Sequence, residues 1–345
     1  MKGNTVTKMR KGVAMLSLLL MLAMMLSACA PGAGESKQGA QNAEPKVKYK
    51  IGIIQIAEHI ALDEAKRGFI DGLKELGLDS NVEFLDKNAQ GQFPNAVAIA
   101  NSFVDEKTDL IYAIATPSAQ ATKQAVGGKI PVIFSAVTDP IEAGLIESFE
   151  KPGANITGVS DAAPIREQLE LFKQIDPKIS KIGILYSTSE VNSEIQINQV
   201  KKIAPELGLE VEVVGVSAIS EISAAMDVLL SGSDAIYMIT DNLVSSSSEL
   251  VANKASEAKK IVVCAEENLL DTGSLITKSA SYYDMGKQCA IMAHKVLEDK
   301  MQVSEIRAQL PHDLKQSFNK EVAVKLGLDI TKEPFKSSDE YQPKK

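Results

Sequence analysis

Tryptophan is absent from this sequence, and cysteine and histidine are scarce, with three of each among 345 residues. The three histidines do not stand at metal-ligand spacing, and no two cysteines lie close enough in the chain to build a zinc site. The G-x-S-x-G elbow, the P-loop lysine pattern and the H-E-x-x-H motif are missing as well. These absences argue against a zinc protein and against the common hydrolase and nucleotide-driven enzymes. The sequence therefore predicts no cofactor and no catalytic site.

The start of the chain has the pattern of an export signal. Four basic residues precede an apolar run from Val13 to Leu26, which is too short to span a bilayer comfortably. Two small residues then precede Cys29, and this order resembles the lipobox of bacterial lipoproteins, in which the cysteine is lipidated. An ordinary signal peptide that happens to contain a cysteine is the alternative. We predict a signal peptide over 1–28 and a lipid anchor at Cys29 on the extracytoplasmic face of the cell membrane.

The residues after this cysteine are small or polar up to position 47, which predicts a flexible tether over 29–47. Once the four basic residues of the signal are removed, 33 basic residues face 45 acidic ones. So acidic a chain is expected to avoid nucleic acid and anionic lipid headgroups. The remaining length, about 290 residues, is enough for one large domain or two medium lobes.

Two cysteines remain in the body of the chain. Cys264 falls in an apolar, strand-like run and Cys289 in a helix-like stretch, so both are predicted to be buried thiols. A disulfide between them is the alternative in an exported protein.

An internal duplication organises the body of the chain. The apolar segments 51–54 and 182–185 each follow a lysine, and each precedes a Glu-Leu-Gly-Leu tetrapeptide at the same distance. Two further pairs match in the same order: 109–112 with 234–237, and 129–132 with 260–263. Repeats of about 130 residues are too long for a solenoid and indicate two similar lobes.

Each half alternates apolar strands with amphipathic helices. In the first half, 50–56 is a continuous apolar strand, and apolar residues then recur at helical spacing until Gly77. This alternation is typical of a parallel sheet covered by helices on both faces. We predict an α/β fold with two Rossmann-like lobes on parallel sheets, joined by a hinge. Function is expected in the turns at the carboxyl ends of the strands.

Five segments carry a family resemblance: 51–72, 115–121, 131–145, 155–161 and 183–194. From Val47 to about Ile330 the chain resembles ABC transporter substrate-binding lipoproteins of the type I periplasmic-binding-protein fold, in the family that includes tryptophan and tyrosine receptors. The resemblance implies a protein that binds a small solute and does no catalysis. It also implies two partners, a membrane permease that receives the solute and the cytoplasmic ATPase that drives it.

Both lobes are expected to be discontinuous, since the duplication breaks around 155–163 and again near 278–284. A third crossing, near 310–314, is implied by the fold resemblance. The predicted lobes are 48–157 with 283–309, and 158–282 with 310–333. The polar residues 334–345 are predicted to form a loose tail.

Residues at the predicted strand ends form the candidate ligand site. The first lobe contributes Glu58, His59, Thr116, Ser118, Ser135, Ala136, Thr138 and Asp139. The second lobe contributes Ser189, Asn192, Ser193, Asp241, Asn242 and Glu266. No lysine or arginine stands among them, which disfavours a phosphate, sulfonate or dicarboxylate ligand. The set suits a cationic amine, with a ligand carboxylate held by hydroxyls and by N–H groups at a helix start.

Sugar receptors commonly stack their ligand on tryptophan, which this chain lacks, so a zwitterionic amino acid fits better than a saccharide. The family resemblance narrows the ligand to an aromatic amino acid. Another amine or a nucleoside-like solute is an alternative ligand. A lipoprotein that signals to a membrane receptor is the alternative role, and a kinase gene beside this one would favour it over transport.

Four acids at strand ends are candidates to hold the ligand amine: Glu58, Asp139, Asp241 and Glu266. We place Asp139 first, because hydroxyl side chains flank it, and Glu266 next, as its equivalent in the other lobe. Asp139 precedes a proline, however, and can instead cap the helix that follows.

Overall fold

The computed structural model describes residues 48–153 and 155–343. The predicted signal peptide, the lipidation of Cys29 and the tether lie outside these residues. The strands are β1 Tyr49–Gln55, β2 Val82–Asn88, β3 Leu110–Ile114, β4 Val132–Val137, β5 Ile156–Ser160, β6 Lys181–Ser187, β7 Glu210–Val216, β8 Ala235–Met238, β9 Val262–Cys264, β10 Ile276–Ala280, β11 Leu314–Phe318 and β12 Asp339–Glu340. The helices are α1 Ile60–Glu75, α2 Phe93–Asp105, α3 Thr116–Val126, α4 Ile165–Ile175, α5 Val191–Ile203, α6 Ile222–Gly232, α7 Asn242–Ser245, α8 Ser248–Glu257, α9 Tyr282–Leu297 and α10 Lys320–Lys325.

Two sheets give two lobes. The N-terminal lobe has five parallel strands in the order β2-β1-β3-β4-β5, and the C-terminal lobe has seven in the order β12-β11-β10-β9-β8-β6-β7. In the second sheet β11 runs antiparallel to β10, and the other strand pairs are parallel. The central strands read as unbroken apolar runs because helices cover both faces of each sheet. The predicted fold of two parallel-sheet α/β lobes is confirmed.

Helix α9 returns to the N-terminal lobe and packs against α1, more than 200 residues earlier in the chain. Two glycines make the close crossing of these helices: a Cβ on Gly68 would lie 1.9 Å from the Tyr283 carbonyl oxygen, and one on Gly286 would lie 2.1 Å from the Ala65 carbonyl oxygen. Any side chain at either position would push the two helices apart. This contact places the start of α9 beside the strand ends of the N-terminal lobe.

The chain crosses between the lobes after β5, before α9 and again ahead of β11. An isolated parallel bridge joins Val159 to Gln309, so the segment after α9 borders the N-terminal sheet before the third crossing. Strand β5 was not predicted from the sequence, because the residues that form it were placed in the crossing itself.

The two cysteines of the body are free thiols, and both are buried. Cys264 ends β9 in the C-terminal lobe, while Cys289 lies on α9 in the N-terminal lobe. The alternative of a disulfide between them is therefore wrong.

The end of the chain differs from the expected loose tail. Phe335 is buried in the C-terminal lobe, with its ring centroid 5.2 Å from that of Phe318. Strand β12 pairs with β11, and the Tyr341 hydroxyl donates to the Asp271 carboxylate at 2.9 Å. A polar composition predicted looseness, but one aromatic anchor and a short strand are enough to fix this segment onto the lobe.

None of the helices between residues 48 and 343 that the structure describes has the length and apolar character needed to cross a membrane. In the same residues, no group of His, Cys, Asp and Glu side chains has the arrangement of a metal site.

Candidate ligand-binding site

The carboxyl ends of the two sheets face each other across a cleft. His59, at the start of α1 in the N-terminal lobe, lies 3.3 Å from the Asn242 side-chain oxygen of the C-terminal lobe, measured from the ring Nε2. The Tyr282 hydroxyl, at the start of α9, donates to Asp161 after β5 at 2.7 Å. The turns in which sequence analysis expected function therefore meet at one place, as the topology of parallel sheets requires.

Seven of the buried side-chain oxygens that lack a hydrogen-bond partner follow strands that end at this cleft. They are Thr116 Oγ1, Ser118 Oγ, Thr138 Oγ1, Asp161 Oδ1, Asn192 Oδ1, Thr240 Oγ1 and Glu266 Oε2. A buried polar atom without a partner costs about 1–3 kcal/mol, and folded proteins leave few of them. Because these atoms come from both lobes and converge on the strand ends, they mark the surface that a polar ligand would satisfy.

Two of these atoms belong to carboxylates. Asp161 uses one oxygen to accept from Tyr282, and Glu266 uses one to accept from the Ser245 hydroxyl at 2.9 Å. The other oxygen of each acid is buried and has no partner. Burial raises the pKa of Asp161 to about 6, and burial together with the nearby charge of Asp161 raises that of Glu266 to about 8. This pair is the part of the site that can hold an ammonium group.

In the other two buried acids, Asp241 and Glu190, both carboxylate oxygens accept hydrogen bonds within the C-terminal lobe. Asp241 accepts from the Ser187 backbone N–H at 2.6 Å, from the Ser193 hydroxyl at 2.6 Å and from the Val244 backbone N–H at 2.9 Å. Glu190 accepts from the backbone N–H of Leu243 at 3.0 Å and from neighbouring side-chain amides. Burial raises the pKa of both carboxyls, and these donors oppose the rise. Both acids, with Ser193, shape the strand ends and leave no free oxygen for a ligand.

Asp139 is engaged by the backbone of its own turn, although the helix that the capping alternative expected after it does not form. Its Oδ1 accepts from the backbone N–H groups of Ile141 at 3.1 Å and Glu142 at 3.0 Å, in the turn that follows. The side chain is only half-buried. Ser135, expected to assist it, instead shares a 2.6 Å hydrogen bond with the Tyr112 hydroxyl inside the N-terminal lobe. Among the residues of this turn, Thr138 keeps an unpartnered oxygen toward the cleft.

The start of α3 suits an anion. Thr116 and Ser118 each offer a buried, unpartnered hydroxyl there, and no side chain caps the helix. Free N–H groups of a first helical turn, together with the helix dipole, favour a carboxylate. Ala115, directly before the helix, has a φ of 78°, and Ala136 at the end of β4 has a φ of 54°. Non-glycine residues in this left-handed region are strained, and such strain is common where a ligand is clamped.

A larger cavity of about 790 Å³ is lined by both lobes, and Pro117 of its wall stands in the chain between Thr116 and Ser118. Its apolar lining includes Ala57, Phe93, Pro94, Pro117 and Leu243. Its polar lining includes Glu58, Ser189, Glu190 and Asn242. Pockets for small organic ligands span about 300–1,000 Å³ and combine apolar walls with a few polar groups, so an aromatic ring fits here.

Positive charge is missing from the site. No lysine or arginine is among the buried residues in the described part of the chain, and none lines this cavity. A ligand with a net negative charge would meet four buried acids with no compensating cation, which opposes its binding. A zwitterion fits both the acid pair and the start of α3.

The site also contains residues that were not among the predicted ones, notably Asp161, Glu190 and Tyr282. Asp161 directly follows a strand, so the strand-end rule would have found it had β5 been recognised as part of the sheet. Glu190 follows Ser189, which was a predicted site residue. The role of Glu190 depends on amide groups that come from the next strand end. Tyr282 lies about 120 residues beyond its partner, and no local pattern signals that contact.

The model of the ABC transporter substrate-binding protein family matches residues 50–341 of the chain. The chain belongs to this family. Its members are solute-binding proteins and not enzymes, which confirms the prediction of a binding protein without catalysis. The two-lobed architecture is that of type I periplasmic-binding proteins, as the resemblance implied.

Relatives of this substrate-binding protein include the tyrosine-binding protein of Clostridioides difficile strain R20291. It is 42% identical over 279 residues, which cover 80% of this chain and 81% of the relative. Among solved structures, an ABC domain from Streptococcus pneumoniae in complex with L-Trp has a TM-score of 0.81 at 33% identity, covering 85% of this chain and 99% of the other.

A substrate-binding protein with adhesive properties from Clostridium difficile, in a ligand-free, open structure, has a TM-score of 0.64 at 36% identity. It covers 86% of this chain, and its own chain is covered completely. The open structure is the closer relative in sequence but the poorer fit in space.

Proposed function

We propose that the protein is the extracytoplasmic binding component of an ABC importer, held to the membrane through a lipidated Cys29. It captures an aromatic amino acid between its lobes and delivers it to the permease. One observation carries the choice of ligand. The cleft holds two buried acids that each have one oxygen without a hydrogen-bond partner, and it also holds unpartnered hydroxyls at the start of a helix. This arrangement is complementary to an ammonium and a carboxylate on one small molecule.

In this proposal the ligand ammonium lies between Asp161 and Glu266, with Thr138 and Thr240 as neutral acceptors. Each of these side chains has an unpartnered oxygen. A buried ammonium has three N–H donors to satisfy, and this group of oxygens is sufficient. The ligand carboxylate lies at the start of α3 and accepts from the hydroxyls of Thr116 and Ser118.

The ligand side chain then occupies the larger cavity, whose apolar walls suit an aromatic ring. Two relatives support this identity, since one is named a tyrosine-binding protein and the other was solved with L-Trp. Among the original candidates, Glu58, Ser189 and Asn242 become contacts of this outer part of the site, whereas Asn192, which also follows a strand end, does not line it. Ser135, Ala136, Asp139, Ser193 and Asp241 become supports of the turns that present it.

Calorimetric titration with matched ligands tests the two ends of this proposal. L-Tyrosine, L-tryptophan and L-phenylalanine are expected to bind, whereas L-glutamate and glucose are not. N-acetyl-L-tyrosine lacks the ammonium and tyramine lacks the carboxylate, so each is expected to bind about 10- to 100-fold more weakly than tyrosine. The protein should first be unfolded, dialysed and refolded to remove retained ligand. Equal affinity for tyrosine and N-acetyl-L-tyrosine would contradict the acid pair as the amine site.

A further inference from the structure

In the contact between His59 and Asn242 across the cleft, the hydrogen-bond donor and acceptor can be assigned. The Asn242 side-chain nitrogen lies 2.5 Å from Glu190 Oε2, and the Asn242 backbone N–H donates to the same oxygen at 3.1 Å. Glu190 Oε2 also accepts from the Asn192 side-chain amide, so this oxygen acts as an acceptor and the donor end of the Asn242 amide, its nitrogen, faces it. The amide oxygen of Asn242 is thereby left to face His59.

This assignment fixes the tautomer of His59. An amide oxygen only accepts, so the His59 Nε2 that lies 3.3 Å from it must carry the hydrogen. Burial lowers the pKa of His59 to about 4, which keeps the ring neutral at physiological pH. In a neutral ring whose Nε2 carries the hydrogen, Nδ1 is an acceptor.

This acceptor has no partner in the protein. His59 Nδ1 is buried without a hydrogen bond, even though the residue precedes α1, where a side chain often caps the helix. Its neighbours in the chain and across the cleft, Ala57, Glu58 and Asn242, all line the larger cavity. His59 itself is not among the residues that line this cavity, so its ring borders the part of the cleft assigned to the ligand side chain.

We propose that His59 Nδ1 accepts a hydrogen bond from the polar group of the ligand side chain, the phenol O–H of tyrosine or the indole N–H of tryptophan. His59 is then a specificity-determining residue that favours these two amino acids over phenylalanine. The inference rests on the proposed function, since it requires an aromatic ligand in this cleft. Glu190 and Asn242 act through His59 as positioning residues.

Paired ligands with and without a hydrogen-bond donor on the side chain test the proposal. The unmodified protein is expected to bind tyrosine about tenfold more tightly than phenylalanine, and tryptophan about tenfold more tightly than 1-methyltryptophan. In His59→Phe, which keeps a ring of similar size but has no acceptor, both ratios should fall to near one. Ratios that stay at about ten in the variant would overturn the role of His59, and so would ratios near one in the unmodified protein. If no aromatic amino acid binds at all, the proposed function itself fails.

Nitrogen-15 NMR of the unmodified His59 gives a second readout that does not depend on how the variant folds. The chain has only three histidines, so changing His294 and His312 to glutamine leaves one ring to observe. Nδ1 of His59 is expected to be unprotonated, and its resonance should shift on addition of tyrosine but not of phenylalanine. A protonated Nδ1, or the same shift with both amino acids, would refute the assignment. If His59→Phe binds neither amino acid, this spectrum alone decides whether His59 Nδ1 contacts the ligand side chain.

Discussion

Replacing Glu266 by glutamine is expected to weaken the binding of an aromatic amino acid by about 10- to 100-fold, as judged by calorimetric titration. The substitution keeps the shape of the side chain, and an amide oxygen can still accept from Ser245. What is lost is one charge-assisted hydrogen bond to the ligand ammonium, which is worth about 1.5–3 kcal/mol. Asp161→Asn removes the equivalent bond on the other side of the cleft and should have an effect of similar size.

Asp139→Asn is the matched control for both variants. It removes the same charge from a strand end of the same cleft, but this carboxylate is engaged by the backbone of its own turn. Because an asparagine side-chain oxygen can accept the same backbone N–H groups, neither affinity nor stability should change much, whereas Asp139→Ala should lose about 1 kcal/mol of stability. If Asp139→Asn weakens binding as strongly as Glu266→Gln, the earlier placement of the amine at Asp139 is correct and the present one is not.

Acidification is expected to weaken ligand binding by up to about 100-fold between pH 8 and pH 6. Burial raises the pKa of Glu266 to about 8 and that of Asp161 to about 6 in the structure, so the ligand ammonium competes with protons for these oxygens. Each proton displaced on binding changes the affinity about tenfold per pH unit within the range between the free and bound pKa values. Binding near pH 7 should accordingly release a proton, which calorimetry in buffers of different ionisation enthalpy measures.

Stability of the ligand-free protein should respond with the opposite sign. An acid whose pKa is higher in the folded than in the unfolded protein binds more protons in the folded state. Ionised Glu266 therefore lowers the stability at high pH, and the stability should rise as the pH falls from about 8 toward the unfolded pKa of this acid. Protonation of this one acid as the pH falls therefore makes the free protein more stable and weakens ligand binding. An affinity that is constant from pH 8 to pH 6, with no proton release, would contradict the acid pair as the amine site.

The duplication and the strand ends were predictable because their signals are local. The apolar run that contains Gly52 repeats at Gly183, and a parallel sheet brings the turns after its strands to one edge. Thr116, Ser118, Thr138 and Glu266 followed directly from that rule.

The rest of the site depended on contacts that no local pattern reveals. Asp139 and Asp161 both follow strands, and only the surrounding hydrogen bonds separate an acid used by its own turn from one with a free oxygen. Asp161 depends on Tyr282 from a helix that returns late in the chain. The order of the tail similarly depends on one ring, that of Phe335, which composition does not single out.

A crystal structure of the refolded protein with L-tyrosine tests the central claim most directly. The ligand nitrogen is expected within hydrogen-bond distance of Asp161 Oδ1 and Glu266 Oε2, with the carboxylate at Thr116 and Ser118 and the ring in the larger cavity. A tyrosine bound with its nitrogen against Asp139, or in the reverse orientation with its carboxylate toward the acid pair, would contradict the account.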